Sequence, residues 1–479
     1  MKKMTRKKLI RRIFVSFSCV FLFFVLIFCE LIMLSNASFR DFFTNERVSV
    51  LKDRPEGVTK DIVVDACGVK DSGGIKMLIE NLIDGIGEKR PNWQFTVIAS
   101  KGIIHPLHFK NKNARAIYID YSASESLLLV RDFLNYISFG LFRDQISQLL
   151  FYDTIIFNKQ SCNLFFDAYA DFIINDFSSI PKISLVHDIC YLDSYDNLRR
   201  LKSPIALKLA RCSMGILTGL REQNAKKIVE FSKKILTVSN FSKKRIMEAY
   251  RVDNSFVKTI HIRLANRIAK EESKQFEQQT LDKFLLKTKK YLIYPSVVRP
   301  NKNHAGLLRA FIKYEENYPS SDLKLIIVGM IDRTDAETLK QIIEESCKND
   351  NQYRRVKEKI IFTGYVSNKE LGVLLSDALA MIFPSLYEGF GMPIIEAMSI
   401  GIPIICSNRA SLPEVAGNAA LLFDPYNIDE MASAINTIST DAKLREILIR
   451  RGQERLKYFS DRDSMIDEYI KEFEKYMSN

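Results

Sequence analysis

No two cysteines in this 479-residue chain have CxxC spacing. The eight present, Cys19, Cys29, Cys67, Cys162, Cys190, Cys212, Cys347 and Cys406, lie far apart. That argues against a zinc site or a disulfide framework, and for reduced core thiols in a reducing compartment. Low-complexity tracts and repeats of fixed period are also missing, which excludes solenoids and propellers. No arginine-rich stripe is interleaved with aromatics, so the net charge of +13 does not indicate nucleic acid as a partner. What remains is 47% apolar and 27% charged, the composition of a globular chain long enough for two domains.

Much of the positive charge sits at one end. Residues 2–12, KKMTRKKLIRR, carry seven Lys or Arg and no acid. Residues 13–34 then read IFVSFSCVFLFFVLIFCELIML, with Glu30 the only charge. A run of this length can cross a bilayer, with its basic flank, residues 1–12, as a cytoplasmic tail. SNA at 35–37 loosely resembles a signal cleavage site, but the apolar run is too long for the usual signal peptide. A membrane partner is expected through this N-terminal helix.

Beyond it, short apolar runs alternate with helical stretches. The first series comprises Asp61–Ala66, Phe95–Ala99, Ala116–Ile119, Thr154–Phe157, Ile183–Val186 and Ile235–Val238. The second comprises Tyr291–Pro295, Leu323–Gly329, Lys359–Thr363, Ala380–Pro384 and Pro403–Cys406. Alternation of this kind means parallel βα units. Two doubly wound α/β domains are expected, at 61–267 and 291–460. The charged stretch 268–290 is read as the linker, and 461–479 as a C-terminal helix packing back on the first domain. Ligands in such folds sit beyond the carboxyl ends of the strands.

The densest chemistry lies in Ala380–Ile402, AMIFPSLYEGFGMPIIEAMSIGI. A buried strand leads into a loop bearing Glu388, Gly389 and Gly391. Pro393 suits the first position of a helix and Gly401 its end. Glycines let backbone amides approach a ligand, and the helix start favours an anion such as a diphosphate. Glu396, in the first helical turn, can accept hydrogen bonds from two vicinal hydroxyls, and Glu388 can do the same for a sugar. The plain alternative is a strand–loop–helix with two solvated glutamates; the whole string serving one ligand geometry outweighs it.

Three further segments stand at strand ends. In Tyr294–His304, YPSVVRPNKNH, Arg299 and Lys302 are close enough in sequence to converge on one diphosphate. In Lys182–Tyr191, KISLVHDICY, His187 and Asp188 follow the strand; the chain has only five histidines. Gly73 and Gly74 precede a helix at Ile75, without the GxGxxG of a dinucleotide enzyme. Ser239, in LTVSNFSKKRIMEAY, is read as a helix cap.

Glu388 to Glu396 resembles the Glu-x7-Glu signature of the family-4 retaining glycosyltransferases, and SNRASLPEVAGNAALLFDPYN (407–427) is similar to that family's continuation. The resemblance covers about 61–475 and implies the GT-B fold. It implies that Glu396 binds the ribose of a nucleotide and that Glu388 contacts the donor sugar. The loop of Gly389, Phe390, Gly391 and Met392 would hold sugar and phosphates. Lys302 and Arg299 would stabilise the leaving diphosphate, with Arg299 at the more variable position. His187 would approach the sugar without a general-acid role, and Gly74 would border donor phosphate and acceptor. The reaction implied moves a sugar, with retention, from a nucleotide sugar to a glycan or lipid-linked acceptor. The phosphate oxygen takes the acceptor proton. No Asp-x-Asp motif is positioned as a metal clamp, so neither metal nor other cofactor is expected. A 2-epimerase would need acid/base carboxylates in the first domain, where no cluster appears. A catalytically inactive scaffold would lack Glu388, Glu396 and Lys302.

Two features fit less simply. IHIRLANRI (260–268) stands where many members have a Tyr-Asn-Gly turn. A full crossing by 13–34 would place the enzyme outside a bacterial cell, away from its donor. A shallow membrane position, or a lumen that holds donors, resolves this.

Overall fold

The computed structural model describes residues 48–49, 58–66, 74–100, 106–119, 155–156, 163–168, 181–187, 226, 228–264 and 273–477. The basic tail, the apolar run 13–34, Gly73 and Asp188 lie outside them. Among the described residues no helix is long and apolar enough to cross a membrane.

The chain divides into two compact units. The first takes the described residues up to Leu236, together with Ile246–Lys258 and those from Ile466 onward; the second takes Thr237–Arg245 and Thr259–Met465.

Among the described residues the large sheet of the first unit has seven strands: β1 (Lys60–Asp65), β2 (Trp93–Ser100), β3 (Ala114–Ile119), β4 (Leu164–Asp167), β5 (Lys182–Leu185), β6 (Lys234–Thr237) and β7 (Val257–Thr259). Their order is β3-β2-β1-β4-β5-β6-β7, and β1 to β6 pair in parallel. Side chains such as Ile62, Val63, Phe165 and Ile183 are almost wholly buried, which is why these strands read as continuous apolar runs rather than alternating ones.

The second sheet has six strands: β8 (Tyr291–Pro295), β9 (Lys324–Val328), β10 (Ile360–Gly364), β11 (Ala380–Phe383), β12 (Ile404–Ser407) and β13 (Leu421–Phe423). Their order is β10-β9-β8-β11-β12-β13, parallel throughout. Strand order reverses between β8 and β11. Connections leave on opposite faces there, opening a crevice at the carboxyl ends of those two strands. The Arg299–Lys302 and Glu388 segments are the loops that follow them.

Three differences from the sequence reading have a common cause. Of Thr154–Phe157, the described residues Ile155 and Ile156 pair with Val48–Ser49 apart from the large sheet. The strand beside β1 is instead Leu164–Asp167, and Leu421–Phe423 adds an edge to the second sheet. Three or four residues carry too little periodicity to be told from neighbouring apolar runs. The stretch read as a linker holds a helix, Lys274–Lys283. Ser273 caps it by accepting from the Phe276 N–H, and Lys283 reaches Glu370 at 2.6 Å. Its high charge hid the buried Thr280 and Leu281.

The C-terminal helix, Arg462–Met477, buries Ile466, Tyr469, Ile470, Phe473 and Met477 along one face, at helical spacing. Within the first unit, Phe473 and Tyr469 pack on Phe166 at ring distances of 5.0 and 6.2 Å. Lys258 meets Glu472 at 3.0 Å, and Lys60 donates to the Met477 carbonyl at 2.9 Å.

Candidate functional site

Strand β11 is wholly buried and delivers the chain through Pro384 and Ser385 to Glu388. Gly389, Phe390 and Gly391 follow, all buried, and the next helix runs from Met392 to Ile400. Gly391 caps it at φ 110°, a left-handed conformation that a side chain would strain. A Cβ there would stand 2.8 Å from Leu412 Cδ2. Pro393 is the second helical residue rather than the first, still where its missing N–H costs nothing. Gly401 closes the helix at φ 81°, its N–H reaching the Ala397 and Met398 carbonyls. Glu396 is the fifth helical residue, one place beyond the expected first turn, and is 4% exposed. Helical side chains lean toward the N-terminus, so its carboxylate still leans toward the loop.

The N–H groups of Gly389, Phe390 and Gly391 meet no acceptor among the described residues. Buried orphan donors are rare in folded chains. Three in a row at a helix N-terminus form a cradle for negative charge.

Lys302 and Glu388 come together across the switch point, Nζ to Oε1 at 2.6 Å, with both side chains mostly buried. Lys302 ends a single turn, Pro300–Lys302, and its Nζ lies 5.6 Å from the centre of the Phe383 ring. The Tyr294 hydroxyl donates to the Lys302 carbonyl at 2.7 Å. Asn301 joins the two loops: it accepts from the Leu386 N–H at 2.7 Å and donates to the Tyr387 carbonyl at 3.0 Å. The Arg299 side chain is exposed and makes no ion pair or hydrogen bond among the described residues, while its carbonyl accepts from the Lys302 N–H at 3.0 Å. The expected convergence of Arg299 with Lys302 is therefore replaced by a Lys302–Glu388 pair, with Arg299 in solvent. Three residues of sequence separation did not bring the two cations together because the intervening turn carries Lys302 inward.

Asn303 was not singled out from the sequence. It adopts φ 56°, ψ 38° and caps the helix His304–Asn317 by accepting from the Gly306 N–H. Its amide donates to the Pro384 and Pro425 carbonyls at 3.2 and 2.9 Å. An asparagine just before an amphipathic run was the available signal, since few other residues tolerate this conformation.

Glu414 was also missed. It accepts from the Asn240 and Phe241 N–H groups at 2.7 and 2.9 Å and from His261 Nε2 at 2.7 Å. Burial works to raise its pKa, but these three donors outweigh burial and hold it below the usual carboxylate range.

In the first unit, Gly74 opens the helix Gly74–Lys89. His187 lies just beyond β5, its Nε2 3.0 Å from the Ala168 carbonyl. Burial pushes its pKa down to about 4, against the opposing effect of that hydrogen bond. The ring is therefore neutral at pH 7. A carbonyl can only accept, so Nε2 carries the proton and Nδ1 is an acceptor.

His304 is 3% exposed, and burial, helped by the charge of Lys302, takes it down to about 4. The unfolded chain takes up this proton near pH 6.5, the folded chain only near 4. Between these values the unfolded state holds the extra proton, so stability falls as pH drops; above 6.5 the contribution is complete. Replacing His304 with Phe should remove about 3 kcal/mol of stability loss between pH 6.5 and 4. Urea midpoints across that range check this, and a slope equal to wild type contradicts it.

Residues 275–455 match the family model described as glycosyl transferases group 1. Over 243 residues the chain is 32% identical to the O-antigen chain mannosyltransferase B of Escherichia coli, covering 50% of this chain and 60% of that protein. It is 31% identical over 211 residues to the O-antigen chain mannosyltransferase RfbU of Salmonella typhimurium, covering 44% and 52%. The matches thus span between half and two thirds of these relatives. Among solved structures, HepE of Anabaena in complex with UDP and glucose superposes with a TM-score of 0.61 at 14% identity, over 87% of this chain and all of that one. The Rickettsia africae glycosyltransferase gives 0.58 at 15% identity, over 88% and 99%. The two sheets are the Rossmann-like domains of a GT-B fold, and residues 275–455 within them are similar to the glycosyl transferases of group 1.

Proposed function

We propose that the protein is a retaining glycosyltransferase of family 4 that transfers a sugar from a nucleotide-diphosphate donor to a hydroxyl of a cell-surface glycan or its lipid-linked precursor. The observation that carries this reading is the run of three buried, unpartnered N–H groups at Gly389–Gly391, beside the Lys302–Glu388 pair. Such a cradle suits a diphosphate. The bacterial relatives are named as mannosyltransferases, two of them of O-antigen chains, which favours mannose as the sugar and O-antigen-like polysaccharide as the product.

Charge develops on the departing diphosphate as the glycosidic bond breaks, and preorganised donors aimed at that charge lower the barrier most. The loop amides, the helix start and Lys302 supply it, with Arg299 reaching in from solvent. Glu388 contacts the sugar and holds the Lys302 ammonium until the donor arrives. Glu396 holds the ribose. His187, neutral, accepts a hydrogen bond from a sugar hydroxyl and gives up no proton, and Gly74 leaves space beside the phosphates. A donor phosphate oxygen takes the acceptor proton, so neither metal nor enzymatic nucleophile is required. Residues 13–34, with the basic 2–12, attach the enzyme to the membrane on the side that holds the nucleotide sugar.

The test is incubation of the full chain with GDP-, UDP- and ADP-sugars and a lipid-linked glycan acceptor. The expected result is release of one nucleoside diphosphate, with the product keeping the donor's anomeric configuration by NMR. Turnover with inversion, or no turnover with any donor, contradicts the reading.

A further inference from the structure

The carbonyls of Glu388, Gly389 and Phe390 are all held by serine hydroxyls. The Ser411 hydroxyl stands 2.9 Å from the Glu388 carbonyl and 2.8 Å from that of Phe390, sharing its one proton between them. Ser242 donates to the Gly389 carbonyl at 3.3 Å. Behind it, Ser239 donates to the Ser242 hydroxyl at 3.0 Å, and the Ser239 oxygen also accepts the Ser242 N–H. All three serines are wholly buried.

The consequence follows from peptide geometry. In a trans peptide the C=O and the next N–H point in opposite directions. Drawing the carbonyls of 388, 389 and 390 toward the serines turns the N–H groups of Gly389, Phe390 and Gly391 the other way. Those are the three that meet no acceptor.

Two further features hold the serines in place. Ala410, next to Ser411, adopts φ 55°, a conformation that costs a residue with a Cβ about 1 kcal/mol. Strain of this kind persists only where surrounding structure enforces it. On the other side, the Glu414 carboxylate takes the first two N–H groups of the helix Asn240–Tyr250. Phe241 packs edge-on against Tyr387 at 5.4 Å. This fixes Ser242 in the segment 237–245, which belongs to the same unit as the glycine loop.

We propose that Ser411 and Ser242 are positioning residues that aim the loop amides at the donor diphosphate, with Ser239 and Glu414 holding Ser242. This rests on the diphosphate reading of the loop. It gives the Ser239 cap a second task, passing a hydrogen bond toward the site.

The test compares affinity for a nucleoside diphosphate with affinity for the matching nucleoside, by calorimetry on the full chain. The nucleotide is whichever of GDP, UDP and ADP the wild type binds most tightly. Ser411→Ala should weaken the diphosphate about tenfold and Ser242→Ala about threefold, the scale of one or two lost hydrogen bonds, with nucleoside affinity unchanged. Ser411→Cys, which keeps a weak donor, should fall between wild type and alanine, and it serves with Ser242→Ala if Ser411→Ala does not fold. Diphosphate affinity at the wild-type level in the folded variants overturns the positioning role and leaves the donor site standing. Equal loss for nucleoside and diphosphate also overturns it, marking a purely structural role. A wild type that binds no nucleoside diphosphate removes the donor reading and this inference with it.

Discussion

Lys302→Ala is expected to lower kcat by about 10²–10³-fold, the usual effect of losing one preorganised donor to developing negative charge. The loss should fall more on kcat than on KM, because the ammonium interacts most strongly with the departing diphosphate. Its stability effect has a separate origin. Lys302 and Glu388 are 19% and 13% exposed, so removing the cation leaves a carboxylate short of its partner in a place that hydrates it poorly. Glu388→Gln in the Lys302→Ala background should therefore recover stability while activity stays lost. Initial rates and urea midpoints for the two single variants and the double variant make this check. Activity restored in the double variant would mean that Lys302 serves only to neutralise Glu388.

Gly391→Val is the second large effect. At φ 110° any Cβ is strained, and here it would also stand 2.8 Å from Leu412 Cδ2. Relief requires the loop to shift and the helix start to rotate, which moves the amides that face the donor. A loss of about 2–4 kcal/mol and no detectable transfer are expected. Gly401→Ala is the control: it has φ 81°, but its Cβ would approach nothing nearer than Gln453 Nε2 at 4.0 Å. It should cost about 1 kcal/mol and leave turnover intact. Equal loss of activity in both variants would mean that general destabilisation, not loop geometry, sets the rate.

Much of the donor half could be read from the residues. Tyr291–Pro295 was placed to the residue because a parallel strand buried on both faces is apolar throughout, with its end marked by proline. Glu388, Gly389, Gly391 and Glu396 carried their own chemistry and spacing. The relations between segments were harder to read. Nothing in YPSVVRPNKNH says that Lys302 faces Glu388, 86 residues away, while Arg299 faces solvent. The side chain follows from Asn303 taking a left-handed turn and from Asn301 joining two loops, both products of strand order. Ser411 and Glu414 lie within the segment 407–427, yet a serine and a glutamate there carry no sign of the carbonyls or amides they will meet. Leu164–Asp167 escaped because four apolar residues fit a strand or a helix equally well.

The central claim is that this loop holds the diphosphate of a nucleotide donor, with Glu396 on the ribose. Titration of GDP, UDP and ADP into wild type and Glu396→Ala, followed by calorimetry, tests it most directly. The account predicts that one nucleotide binds the wild type, with affinity at least about tenfold weaker in Glu396→Ala, as for loss of hydrogen bonds to a charged acceptor. No binding of any nucleoside diphosphate, or equal affinity in the two proteins, would contradict it.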